Sequence, residues 1–220
     1  MKYLSAIGMF VVAAALGLTP AIAVANNEDT TLLEQDNTAL EQVRRVEDYL
    51  NGMRSLKADF IQRSPDGSVA EGTLALERPG RLRFDYEEDV PLLVVSDGTT
   101  LSFIDYDVNQ VTRWPIMDTP LGILVAGTID LRSAMIVNVS EGEDGLLRVS
   151  VQDPKRLDEG YIVLILDQNP MTLRAWDAVD PQGQVTRVAL VNMEPNVDVD
   201  RSRFKFEDPR TMPFSGRRRR

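Results

Sequence analysis

Neither histidine nor cysteine occurs among the 220 residues of the chain. The commonest general base and the commonest transition-metal ligand are therefore missing. Thiol nucleophiles, cysteine zinc sites, disulfides and a lipid anchor on cysteine are missing with them. Hydrolysis would have to use a Ser-Lys pair or paired carboxylates. Ser55 and Lys57 stand close together, but no recognisable motif surrounds them. Glu87-Glu88-Asp89 and the pairs Asp105/Asp107 and Asp198/Asp200 carry enough oxygen for calcium. None has the spacing of a calcium loop, and a solvated acidic face accounts for them. No glycine-rich phosphate loop follows a strand. The residues point away from an enzyme, and no cofactor or metal is expected.

One charged residue stands out. Arg78 shares strand parity with Leu74 and Leu76, which aims it at an apolar face, where an arginine is costly unless paired or hydrogen-bonded. Two readings are open. At the strand end, just before Pro79, it can reach solvent. Pointing inward, its five donors can bind carbonyls at the end of a covering helix and act as a latch.

The elements that would position these residues follow from pattern. Lys2, an apolar run over Ala6–Leu18, Pro20 and small residues up to Ala25 read as an export signal over residues 1–25, its core too short to span a bilayer comfortably. Residues 26–36 are polar and acidic and read as disordered. Thr38 and Glu41 have capping-box spacing, and Leu40, Val43, Val46, Leu50 and Met53 follow at helical intervals, which predicts a helix over 38–53. Strands are then predicted over 56–63, 69–78, 81–87, 92–96, 101–106 and 108–114, with turns at Pro65-Asp66-Gly67, Pro79-Gly80 and Asp97-Gly98. Thr119-Pro120 opens a short apolar helical segment through Leu121, Ile123, Leu124 and Val125, and a second helical piece is expected over 131–136. Strands resume over 146–151, 161–166, 173–178 and 185–191, and Phe204 and Phe206 close the domain.

About ten antiparallel strands and few helices make a single domain, expected over residues 37–209, with a basic disordered tail over 210–220 ending in Arg217–Arg220. A sheet this large curls, and its concave apolar face needs a cover. The helix over 38–53 and the apolar segment around Leu121 to Val125 are the available cover. Removing the signal, whose one charge is Lys2, takes the net charge from −10 to −11, which suits a soluble protein and disfavours nucleic acid as a partner. The arginine tail reads either as a solvated end or as a contact with anionic lipid or an acidic partner.

Several stretches resemble the outer-membrane lipoprotein carrier family (the LolA type): Ala58-Asp59-Phe60-Ile61-Gln62, Glu71-Gly72-Thr73-Leu74, Arg78-Pro79, Val95-Ser96-Asp97-Gly98-Thr99-Thr100-Leu101 and Asn109-Gln110-Val111-Thr112. Pro120 with Leu121, Ile123 and Leu124 resembles its lid helix. The likeness is densest between Ser55 and Val125 and fades after about Leu131. It implies an α+β, mainly β fold: an incomplete antiparallel β-barrel of ten to eleven strands with short helices as an inner lid. It implies a periplasmic carrier that holds the acyl chains of lipoproteins in an apolar cavity. Leu74, Leu76, Leu82, Phe84, Tyr86, Leu93, Phe103, Leu121, Ile123 and Leu124 would line that cavity. Arg78 matches the arginine that holds the lid closed. The implied partners are acylated lipoproteins, an inner-membrane ABC-type release complex, and an outer-membrane acceptor or the outer membrane itself, with the carrier a monomer. The Glu87-Glu88-Asp89 loop, the longer acidic N-terminus and the terminal arginines depart from the family pattern. A lipid-binding or envelope-stress-sensing module on the same half-barrel is the alternative.

Overall fold

The computed structural model describes residues 27–211; the segment read as an export signal and the four terminal arginines lie outside them. Helix α1 (Asn27–Gly52) is longer than the expected 38–53 and includes residues read as disordered. In the sequence, Leu32, Leu33, Glu34 and Gln35 have high intrinsic helix propensity, which the polar and acidic composition around them obscures. Thr38 thus lies inside the helix rather than at its start. Val43, Val46, Leu50 and Met53 are buried at the expected spacing, whereas Leu40 faces solvent.

Eleven antiparallel strands follow: β1 (Ser55–Arg63), β2 (Val69–Glu77), β3 (Arg81–Tyr86), β4 (Leu92–Asp97), β5 (Thr100–Asp105), β6 (Gln110–Pro115), β7 (Ile136–Glu141), β8 (Leu147–Gln152), β9 (Tyr161–Gln168), β10 (Met171–Val179) and β11 (Val185–Pro195). Between β6 and β7 lie α2 (Gly122–Val125) and α3 (Leu131–Ala134). Strand β7 is not legible as a strand beforehand, because the helical reading of 131–136 runs into it. All eleven form one sheet in the order β6-β5-β4-β3-β2-β1-β11-β10-β9-β8-β7. The first and last strands pair, so the sheet's two edges are β6 and β7, strands adjacent in the chain. The segment joining them, residues 116–135, crosses the open seam.

Parity sorts the two faces. Inward rows run Ala58–Leu74–Phe84–Val94–Phe103 and Leu56–Leu76–Leu82–Ser96–Leu101 across neighbouring strands. These side chains and the apolar face of α1 form the main core. Gly72 sits between Phe60 and Tyr86 in the next row. A Cβ there would lie 2.0 Å from the Asp85 carbonyl oxygen and 2.9 Å from the Phe60 ring, so glycine is what lets the aromatic side chains close over the sheet.

The convex face has its own cover. Residues 196–208 run back across it. Val199 and Phe204 pack on Ala75, and Phe206 packs on Leu93, Val95 and Ile104. Arg83 Nη1 donates to the Arg203 and Lys205 carbonyls at 2.8 and 3.1 Å, and Arg113 pairs with Asp208 at 2.9 Å. Among the described residues, no helix is long and apolar enough to cross a membrane.

Phe60 is 1% exposed and meets Phe84 and Tyr86 edge-on at centroid distances of 5.1 and 5.2 Å. Phe60→Ala is expected to lower unfolding free energy by about 3–5 kcal/mol, read as a fall in the urea midpoint with an unchanged slope.

Candidate functional site

The concave face gathers the apolar side chains singled out in the sequence, with one exception. Leu74, Leu76, Leu82 and Phe84 are buried in the inner core, and Tyr86 and Phe103 pack against it half-buried. Leu93 lies on the other face. It pairs with Asp85 and Ile104 and joins the convex cluster under Phe206. The cause is that Leu92–Val95 is apolar without alternation, and both of its faces are covered, so parity carries no signal there. The neighbour that does face inward is Val94. Trp176, absent from the expected lining, is the largest fully buried side chain and meets Phe84 at 6.2 Å. The Tyr86 hydroxyl donates to Gln62 Oε1 at 2.8 Å, and burial pushes its pKa up to about 12.

The segment across the seam plugs this face. Leu124 and Val125 are 2% and 0% exposed, and Leu121 and Ile123 pack against the same core. Helix α2 has four residues and leaves its carbonyls without intrahelical partners. These carbonyls go to the turn between β2 and β3. Arg78 Nε donates to the Leu124 carbonyl at 2.9 Å, and the Gly80 N–H donates to the Val125 carbonyl at 2.7 Å. Arg78 Nη1 donates to the carbonyl of Leu50, in the last turn of α1. Of the two sequence readings of Arg78, the structure therefore has the inward one. Burial lowers its pKa to about 10, with Tyr49 acting in the opposite sense, so it stays cationic at neutral pH. None of the ion pairs among the described residues includes it, and its Nη2 is buried without a hydrogen-bond partner among them.

The turn that carries Arg78 is fixed on all sides. The Arg78 N–H donates to the Arg54 carbonyl at 2.9 Å, and Ser96 Oγ donates to the Gly80 carbonyl at 2.7 Å. Gly80 has φ +77° and its Cα lies against Gly98, so a Cβ would meet the Gly98 carbonyl oxygen at 2.0 Å. Both the positive φ and the close approach require glycine.

Helix α1 grips the far end of the covering segment through two residues one turn apart that sequence reading did not single out. Asn51 exchanges two 2.9 Å hydrogen bonds with the backbone of Ile129. Glu47, buried, accepts from the Leu131 N–H at 2.8 Å and from Arg132 Nη2 at 2.8 Å. The Arg132 guanidinium, followed by the Leu131 N–H, holds the Glu47 carboxyl below its ordinary value. No local signal in the sequence marks them: Glu47 and Asn51 stand one turn apart beside the apolar stripe of α1, where polar residues of a solvated helix flank also fall.

The other candidates do not come together as a site. Ser55 Oγ donates to the Val197 carbonyl at 2.5 Å, which ties down the C-terminal strap. Glu87, Glu88 and Asp89 are exposed, and among the described residues no cluster of acids has the geometry to hold a metal ion.

A family model described as outer membrane lipoprotein carrier protein LolA matches residues 51–207. An outer-membrane lipoprotein carrier protein of Dechloromonas aromatica is 32% identical over 178 residues, covering 76% of this chain and 84% of its own. One of Alkalilimnicola ehrlichii is 33% identical over 190 residues, covering 81% and 83%. Among solved structures, a LolA superfamily protein from Nitrosomonas europaea aligns with 11% identity and a TM-score of 0.43, covering 74% of this chain and 97% of its own.

The grip of α1 should be acid-sensitive. Because the folded-state pKa of Glu47 is lowered from 4.5, its contribution is full above that value and is lost as pH falls through the folded value. Taken relative to the intrinsic rate at each pH, hydrogen exchange at the Leu131 amide should therefore accelerate on acidification below about pH 4.5. In Glu47→Gln it should be faster throughout and lack this extra acceleration. Identical profiles in the two proteins would remove Glu47 from the attachment.

Proposed function

The chain belongs to the outer-membrane lipoprotein carrier family, and from that premise we propose that it holds the acyl chains of lipoproteins against the concave face now covered by residues 116–135. The setting is the periplasm, reached by the signal over residues 1–25. The donor is an inner-membrane ABC-type release complex. The recipient is an outer-membrane acceptor or the outer membrane itself. No step in this task makes or breaks a covalent bond, which agrees with a chain that has neither histidine nor cysteine.

The observation that carries the reading is Arg78. A guanidinium buried beneath two helix ends is bound only to backbone carbonyls. For a purely structural core this is a poor arrangement, since a buried charge without a counter-ion is expensive. For a latch it is suitable, because its partners can exchange for others when the lid swings away. Leu74, Leu76, Leu82, Phe84, Tyr86 and Phe103 then exchange contacts with Leu121, Ile123 and Leu124 for contacts with acyl chains. Each methylene transferred is worth about 0.8 kcal/mol, so two or three chains left in water would cost tens of kcal/mol. The inner face must therefore offer an apolar area comparable to the one it hides when closed.

The test uses membrane vesicles that contain triacylated lipoproteins. The mature chain should release them into a soluble complex and deliver them to outer-membrane vesicles. Arg78→Leu should fold and still take up lipoprotein, but deliver it about tenfold more slowly or worse, given the strength of charged hydrogen bonds. Normal delivery by Arg78→Leu would refute the latch. Binding of free lipid without lipoprotein release would favour a lipid-binding or stress-sensing module.

A further inference from the structure

Arg78 fastens the lid from the β2–β3 side. A second fastening comes from the opposite side of the seam and borders a cavity. The loop between β8 and β9, residues 153–160, folds over the start of the lid. Arg156 Nη2 pairs with Asp118 at 2.7 Å, and its Nη1 donates to the Met117 carbonyl. Its backbone is set within the loop, where the Arg156 N–H donates to the Asp153 carbonyl at 3.0 Å and the Glu159 N–H donates to the Arg156 carbonyl at 3.1 Å. Beneath this clasp lies a cavity of about 280 Å³, with Pro120, Ile123, Ala126, Ile129, Met135 and Val151 as its apolar wall and Thr119, Thr128 and Gln152 among its polar lining. Met117 and Tyr161, large and exposed, also border the cavity.

We propose that this cavity is the port through which the first acyl chain of a lipoprotein enters the closed carrier, with the Arg156–Asp118 pair as its gate. The inference rests on the lipoprotein-carrier reading. Three observations support it. First, the cavity shares a wall with the inner face: Ile123, Ala126 and Met135 line it and also pack on the inner core. A chain entering here reaches the concave face by displacing side chains rather than strands. Second, the two fastenings differ in strength. Charged hydrogen bonds in a buried site hold well. Ion pairs near solvent hold weakly, and the partners of this pair are 32% and 45% exposed. The Arg156 side of the lid therefore opens first. Third, Asp118, Asp130, Asp153 and Glu159 all line the cavity, with Arg156 as the one cationic side chain among its described lining residues. A rim rich in carboxylates repels lipid phosphate and fatty-acid carboxylate, and it is indifferent to the uncharged ester- and amide-linked chains of a lipoprotein.

The test is stopped-flow binding of a fluorescent triacylated lipopeptide to the mature chain. Removing a gate speeds entry and exit alike, whereas removing a ligand contact speeds exit alone. Arg156→Gln is expected to raise both rate constants by roughly two- to fivefold, with the dissociation constant little changed. Ala126→Phe, or Met135→Phe if the first fails to fold, fills the cavity and is expected to slow association by about tenfold. Unchanged association in Arg156→Gln, or in a folded filling variant, overturns the port while the carrier reading stands. A wild-type chain that binds no lipopeptide overturns both. A palmitate probe that enters as fast as the lipopeptide and is slowed equally by the filling variant overturns the assignment to lipoprotein chains.

Discussion

The closed form depends on how the ends of two helices are satisfied. Helix α1 and the four-residue α2 both finish over the concave face, and both leave carbonyls that water cannot easily reach. One guanidinium answers both, with Arg78 donating to Leu50 and to Leu124. Its charge also suits the negative ends of the two helices. Because the same side chain serves both, α1 and α2 are mechanically joined through it, and the tight Arg78–Gly80 turn fixes where they meet. The turn itself rests on Gly80, whose position against Gly98 leaves no room for a side chain.

From this follows the topology of the opening. Pairing β1 with β11 places the two edges of the sheet at β6 and β7, and the chain must pass from one to the other across the gap. An apolar connection there becomes a cover, while strand closure would have made a sealed barrel with nothing to open. The remaining surfaces are committed elsewhere. The strap of residues 196–208 occupies the convex face over β2 to β5, with Phe204 and Phe206 filling it. On the proposed reading, the face whose cover exchanges is the concave one.

The legible part of this arrangement was the part with strong periodicity. Alternation in Arg81–Tyr86 placed Leu82, Phe84 and Tyr86 on one face, and parity with Leu74 and Leu76 aimed Arg78 inward. The turns at Gly67, Gly80 and Gly98 fell where positive φ needs them. What pattern could not resolve was Leu93, in a run that is apolar on both sides, and β7, whose Ile136 and Val137 continue an apolar helical stretch. Polar residues that act within the core were also hidden. Glu47 and Asn51 look like ordinary members of a solvated helix face until Ile129 and Leu131 are seen to present backbone groups to them. Pairings across about eighty residues leave no local trace.

A carrier must hold apolar chains firmly in transit and still give them up, and the closed form suggests how these demands are separated. On the proposed reading, the inner face, with Phe84 packed between Phe60 and Trp176, supplies area that is equally good for a lid or for acyl chains. The free-energy difference between the closed and loaded states is then a small difference between two large burial terms. Small terms decide it: the hydrogen bonds of Arg78, the carboxylate of Glu47, the surface pair of Arg156. That is why polar groups of modest individual strength sit at the margins of an almost wholly apolar site. A lid held by apolar burial alone would have only one adjustable quantity, its area, and increasing that area would strengthen closure and weaken loading together. Backbone carbonyls gripped by side-chain cations let closure be tuned without changing the surface that the cargo meets.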